Sequence, residues 1–186
     1  MNTQITTGKV RFSYVNLFTA RAMDEGSDPK YSVTLIIPKS DSATLNKINV
    51  AIKNAKESFV AKNNGKKLPT NIKTTIHDGD SERPNGEEFG PECKNSYVMT
   101  VSTKNPPVIV DAQKVPITNP TEIYSGCYGR AIINFYVYNR AGNCGITAGL
   151  NGIMKLYDGE PLSAGVVTDA DWDDGWTDNE VDPLLG

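Results

Sequence analysis

Two arginines and two tyrosines fall on one parity of the stretch Arg130–Arg140, which reads R-A-I-I-N-F-Y-V-Y-N-R. Successive side chains of a β-strand point to opposite faces. Ala131, Ile133, Phe135 and Val137 therefore make one wholly apolar row, and Arg130, Ile132, Asn134, Tyr136, Tyr138 and Arg140 make the other. A tyrosine ring offers a face on which a nucleobase stacks, and a guanidinium grips a phosphate or stacks on a base in turn. The same row also fits an ordinary strand whose tyrosines half-bury their rings and leave the hydroxyls in water. Similar groups recur nearby. Lys9 and Arg11 lie on the charged parity of an early strand, and Lys104 ends a later one. Tyr124 and Tyr128 stand with two glycines, Gly126 and Gly129, in Y-S-G-C-Y-G-R, where the backbone can approach a ligand or another strand closely; core packing is the alternative use of both tyrosines.

Catalytic chemistry finds little to work with. The chain has neither the Walker-type nor the dinucleotide-type glycine loop that cradles phosphates. His77 is the one histidine, and it stands near no serine elbow or paired cysteine that would make a nucleophile. Asp78, Asp80 and Glu82 are the one acidic group able to hold a hard cation, which would make a metal-dependent nuclease the alternative reading. The run begins like a calcium loop, but Arg83 stands where that loop needs glycine. A polar turn is the simpler account, and no cofactor is expected.

The elements that must position these groups are mostly strands. Residues 8–18 alternate, with Val10, Phe12 and Tyr14 on one face and Lys9, Arg11 and Ser13 on the other. Lys30–Ile37 and Ser96–Lys104 alternate likewise, Val108–Val110 is a short extended piece, and Ile146–Leu156 follows a hairpin turn after the Arg130–Arg140 strand. Between early strands, Leu45, Ile48, Ile52, Ala55 and Phe59 recur at helical spacing, with Ser40 or Asp41 to cap and Gly65 to terminate. The lysines on that helix are read as a solvated face, with a secondary phosphate-contacting surface as the alternative. Residues 74–95 are a long polar connection of the length that is usually functional or mobile. Five principal strands, one helix and glycine-bent strands point to an all-β domain, a five-stranded OB-type Greek-key barrel, with a β-sandwich as the other arrangement.

Charge is distributed unevenly along the 186 residues. Seven acids and no Lys or Arg follow Thr168, which leaves fifteen acids against nineteen bases in the body of a chain whose net charge is −3. A mildly basic body with an acidic tail implies a polyanionic partner. The division expected is a binding domain over 1–163 and a disordered acidic tail over 164–186. Both tryptophans, Trp172 and Trp176, lie in that tail beside Asp173 and Asp174, and Leu184 and Leu185 come near its end. Apolar anchors among acids suit capture by a partner protein's basic groove, and the same charge competes for the body's own cationic groove. Three cysteines, Cys93, Cys127 and Cys144, without C-x-x-C spacing fit reduced thiols in a cytosol. No run of apolar residues approaches membrane-spanning length. A non-catalytic single-strand binder is the reading these features favour; a virion or assembly protein using the Tyr/Arg face as a subunit contact is another.

Several longer stretches carry a family likeness. They are G-K-V-R-F-S-Y-V-N-L-F (Gly8–Phe18), K-Y-S-V-T-L-I-I-P-K (Lys30–Lys39), D-G-D-S-E-R (Asp78–Arg83), K-N-P-P-V-I-V-D (Lys104–Asp111), Y-S-G-C-Y-G-R-A (Tyr124–Ala131) and Y-N-R-A-G-N-C-G-I (Tyr138–Ile146). On these the chain resembles the single-stranded-DNA-binding proteins of tailed phages and prophages, over roughly residues 8–160, most specifically from Tyr124 to Ile146. The resemblance implies an OB-fold that coats single-stranded DNA in phage replication or recombination, in the host cytoplasm, and an acidic tail that recruits replication proteins. A terminal phenylalanine is common in such tails, whereas this chain closes on Leu184-Leu185-Gly186. The resemblance transfers no individual DNA contact, so the site residues named above rest on strand parity and chemistry.

Overall fold

In the computed structural model, the residues described are 2–140, 142–162 and Trp172. They form nine strands, β1 (Gln4–Thr6), β2 (Val10–Arg21), β3 (Lys30–Pro38), β4 (Lys73–Thr74), β5 (Ile76–Asp78), β6 (Ser96–Thr103), β7 (Val108–Val110), β8 (Tyr128–Arg140) and β9 (Asn143–Tyr157), and one α-helix, α1 (Ser42–Lys62). The strand order runs β8-β2-β3-β6-β9, and β9 pairs back onto β8 to close the ring. All the pairings of that ring are antiparallel except β6–β9, which is parallel. Five strands thus close the expected OB-type barrel. The shorter strands are appended: β1 on β8, β5 on β6, and β4 and β7 on β9.

The apolar parities fill the interior. Phe12, Val33, Leu35, Ile37, Met99, Val101, Ile133 and Phe135 are at most 1% exposed. Each such side chain contributes about 1.5–3 kcal/mol by leaving water. Helix α1 presses Ile48, Ala51 and Ala55 into this core and packs on β1 and β8. Asp41 is its cap: the carboxylate accepts the Thr44 N–H at 3.1 Å, and Thr44 Oγ1 accepts the Gly8 N–H at 2.8 Å, so the helix start is tied to the β1–β2 turn. At the other end the Gly65 N–H reaches Val60 O at 2.9 Å with φ +76, the left-handed stop that glycine permits.

Two departures from the sequence reading matter for the site. Tyr14 does not join Val10 and Phe12 inside; it is 62% exposed. Ser13 pairs Thr34 and Asn16 pairs Ser32, three steps on β2 against two on β3, so β2 carries a bulge, with Tyr14 at φ +46. The bulge reverses parity, and beyond it Leu17 is the fully buried residue. Residues 74–95 are likewise no open loop. They contain β5, whose Ile76, His77 and Asp78 pair with Met99, Val98 and Tyr97, and a bridge between Glu82 and Glu88.

Candidate nucleic-acid interface

The outward parity of β2, β3 and β6 reads Ser13, then Ser32, Thr34 and Ile36, then Val98, Thr100 and Ser102. Register aligns Ser13 with Thr34 and Thr34 with Thr100, so hydroxyls form a rung across three strands. Although it faces away from the core, much of this surface is covered: Ser13, Ser32, Thr34, Ile36 and Val98 are all under 10% exposed. The cover is the segment after β5. Phe89 and Cys93 pack with Ile36 and Val98, and the Arg83 guanidinium lies 4.9 Å from the Phe89 ring centre. Opposite stand Tyr14, lifted out by the bulge, and Met23, 76% exposed. Floor and walls enclose a groove of about 510 Å³. Tyr14's hydroxyl, beside the Arg83 guanidinium, is the main cause holding that group above its usual pKa, so the two walls approach each other over the floor.

Cations cluster at both ends of this face. At one end Lys104 pairs with Asp28 at 2.5 Å, and Lys30 and Arg140 also lower the Asp28 pKa, so three cations surround one carboxylate. At the other, Lys9 lies 5.8 Å from the Tyr128 ring centre and 5.5 Å from that of Tyr157, and Arg11 lies 5.3 Å from Tyr128. The two tyrosine rings are 5.3 Å apart and tilted by 33°. A smaller depression of about 160 Å³ joins this cluster to the groove, sharing Ile36 and Glu92 with it. Arg11 is fixed by backbone carbonyls, donating to Gly126 O at 3.1 Å and Glu160 O at 2.7 Å. Carbonyls orient a guanidinium without cancelling its charge. None of the described arginines is within 4.0 Å of a described carboxylate.

The residues named from sequence separate into groups. Lys9, Arg11 and Tyr128 come together, and Tyr157, which parity reasoning missed, completes their cluster as Tyr128's cross-strand partner. Arg140 and Lys104 meet at the far end, but Lys104 is occupied by Asp28. Arg130 lies ten residues from Arg140, roughly 33 Å along the strand, and donates its Nε–H to Thr7 O at 2.9 Å beside β1. Tyr136, 46% exposed, borders a cleft shared with Phe59 and Lys62 of α1. Tyr138 lies over Gly145, where an added Cβ would meet its hydroxyl 2.3 Å away. Tyr124 is tied to the segment after β9: its hydroxyl donates to Gly159 O at 2.9 Å and accepts the Gly159 N–H at 3.1 Å. Trp172 is exposed; Trp176, Asp173, Asp174, Leu184 and Leu185 lie outside the described residues.

Nor does the structure assemble Asp78, Asp80 and Glu82 into a cation site. Lys39 Nζ lies 2.7 Å from both Asp78 and Asp80. Its ammonium is the first cause lowering both carboxyl pKa values, helped by the Asp80 N–H on Asp78 and the Asn95 N–H on Asp80. Among the described residues no three or more His, Cys, Asp or Glu side chains group as metal ligands. No helix there is long and apolar enough to cross a membrane. The thiols are free, and burial raises the pKa of Cys93 and Cys127.

Known proteins share this fold. The family described as "Enterobacter phage Enc34, ssDNA-binding protein" matches residues 3–184. The chain belongs to that family. The single-stranded DNA-binding protein from bacteriophage Enc34, solved in complex with ssDNA, is 27% identical with a TM-score of 0.74, over 87% of this chain and 90% of that one. "Putative protein p50" of Acyrthosiphon pisum secondary endosymbiont phage 1 is 27% identical over 98% of both chains. Bacteriophage T7 gp2.5, a single-stranded DNA binding protein, shares the fold at 14% identity and TM-score 0.59, over 96% of this chain and 97% of that one. The family match runs past the barrel into the C-terminal segment that holds the seven acids.

Proposed function

We propose that this protein coats single-stranded DNA without sequence preference and without catalysis, in phage replication or recombination within the host cytoplasm. The observation that carries the proposal is the groove on β2, β3 and β6: an aromatic-walled, hydroxyl-floored track with unneutralised cations at both ends. Phosphates repeat along a strand and every base has a π-face, so such a track holds any sequence. Lys9, Arg11 and Tyr128 engage one end of the strand. Arg140 engages the other, with Tyr138 and Tyr136 extending contact along β8. Residues 1–163 act as the binding domain and 164–186 as a tail that competes with DNA and recruits replication or recombination proteins through Trp172, Trp176, Asp173, Asp174, Leu184 and Leu185. Supporting the competition, Leu162, which precedes the acidic segment in the sequence, packs against the Ile36, Cys93 and Val98 cluster on this face. Titrating a labelled oligo-dT at two salt concentrations tests the function: affinity falls as salt rises, and absent or salt-insensitive binding refutes it.

A second reading concerns contact between copies of this chain. Val108 and Ile132, 66% and 38% exposed, border an apolar hollow of about 240 Å³ together with Arg130. Light scattering of Ile132→Asp against the unaltered protein decides whether that face holds an oligomer together.

A further inference from the structure

The groove floor holds hydroxyls that the fold does not use. Ser13 is 6% and Ser32 9% exposed, and both line the groove. Among the described residues neither hydroxyl has a hydrogen-bond partner, whereas Thr34 Oγ1 and Thr100 Oγ1 share one bond at 3.0 Å. Neither oxygen is among the buried unpartnered atoms of the described residues, so both hydroxyls open onto the groove and are free to bond what enters it. Strand positions facing a covered surface ordinarily carry apolar residues, as Ile36 and Val98 do farther along the same floor. Arg83 above is the incomplete group: its Nε is the one buried side-chain nitrogen or oxygen without a partner among the described residues, and the guanidinium is held by the Phe89 ring beneath it rather than by an acid. Tyr14 keeps most of its ring in solvent at the cost of a left-handed backbone, a conformation that persists at sites where its side chain is needed.

Resting on the single-strand reading above, we infer that this groove is a nucleobase subsite, in which one base of the bound strand stacks on Tyr14 and turns its edge down onto Ser13, Ser32 and Thr34. The polar floor explains how a base-contacting site stays indifferent to sequence. A serine or threonine hydroxyl rotates to donate or accept, so it satisfies a carbonyl, a ring nitrogen or an exocyclic amine alike. Arg83, beside Tyr14, is placed to hold the phosphate next to the seated base.

The test uses the full chain with Ser13→Ala, Ser32→Ala and their combination, each titrated with oligo-dT and with an abasic deoxyribose-phosphate oligomer of equal length. Each lost hydroxyl is expected to weaken oligo-dT binding by about two- to tenfold and to leave abasic binding unchanged. Equal losses on both oligomers, or no loss on oligo-dT, overturn the base subsite while leaving the single-strand reading intact. If the unaltered protein ignores oligo-dT, that reading itself fails. A second measurement needs no substitution: an oligomer carrying 5-iodouracil is photo-crosslinked to the unaltered protein and the tryptic peptides are mapped. Crosslinks to residues 12–21, which contain Tyr14, are expected; crosslinks confined to 131–140 would place the bases on β8 and overturn the inference.

Discussion

Replacing Arg140 by alanine removes one charge from the track without disturbing the barrel. The residue is exposed, at the end of β8, and has no hydrogen-bond partner among the described side chains. Of the cations bordering the face, Lys9, Arg11, Lys30, Arg83 and Arg140 are free of carboxylate pairing, whereas Lys104 is balanced by Asp28. For single strands, log K falls with log[salt] by about 0.7 for each phosphate neutralised, so about five contacts give a slope near −3.5. Affinity then drops roughly 100-fold between 50 and 200 mM salt. Losing Arg140 makes the slope shallower by about 0.7, which corresponds to roughly eightfold weaker binding at 50 mM and about threefold at 200 mM. Asp28→Asn has the opposite sign, because it releases Lys104 and steepens the slope by a similar amount. Fluorescence anisotropy of a labelled oligo-dT across a salt series measures both. Lys53→Ala on the helix, whose nearest acid is Glu57 at 4.0 Å, serves as the control and leaves the slope unchanged. An Arg140→Ala slope equal to that of the unaltered protein, or a Lys53→Ala slope as shallow as that of Arg140→Ala, would refute the placement of the track.

Three further outcomes test neighbouring parts of the structure. Cutting the chain after Thr168 deletes all seven tail acids, and should tighten oligo-dT binding at 50 mM salt by about threefold or more, with the gain shrinking as screening shortens; unchanged affinity would leave the tail with partner recruitment alone. Gly79→Ala would place a Cβ 2.1 Å from Cys93 O and 2.8 Å from Ser96 O, both backbone atoms, so a thermal melt should show a loss on the order of 2 kcal/mol and a drop in Tm of about 5 °C. The Asp78 and Asp80 carboxyl pKa values are lowered by Lys39; their contribution to stability is therefore complete above the unfolded carboxyl value near 4 and is lost as pH falls through the lower folded values. Lys39→Ala should lower Tm at neutral pH and flatten its fall below about pH 4, and parallel Tm–pH curves for the two proteins would contradict that assignment.

The barrel strands were legible because each alternates long enough to show period two, and α1 because its apolar stripe repeats over several turns. β1, β4 and β5 were not, since two or three residues carry no period and form only through partners far along the chain. The parity change at Tyr14 did leave a trace: Val10 and Phe12 share one parity, Val15 and Leu17 the other, which requires one extra residue between them. The groove left none. Ser13, Ser32, Thr34 and Thr100 each read as an ordinary outward polar position, and only their register across three strands makes them a floor. The Arg-Tyr row on β8 posed the opposite difficulty. Its residues do share a parity, but a strand coiled around a barrel spreads them past β1, α1 and the β2–β3 connection, which parity alone does not show.

The acidic run Asp78-Gly79-Asp80 bears on the groove through Lys39 rather than through a metal. Lys39 follows β3, one of the floor strands, and Asp78 ends β5, from which the covering segment departs. The ion pairs therefore pin the root of one wall to the floor it encloses. Asp80 extends the same tie by accepting the Asn95 N–H at 3.1 Å, and the Gly79 N–H donates to Ser96 O at 2.8 Å, which fastens the segment's return to β6. A cover fixed at both ends holds Phe89 and Arg83 over the strands, whereas the opposite wall, Tyr14, rests on a bulge in β2 and meets the cover only through Arg83. Opening the groove to admit a strand should therefore displace Tyr14 and the β2–β3 connection and leave the cover in place. Hydrogen exchange at the amides of residues 13–29 should change on DNA binding more than that of residues 78–82 and 93–96. The reverse pattern would assign the movement to the cover.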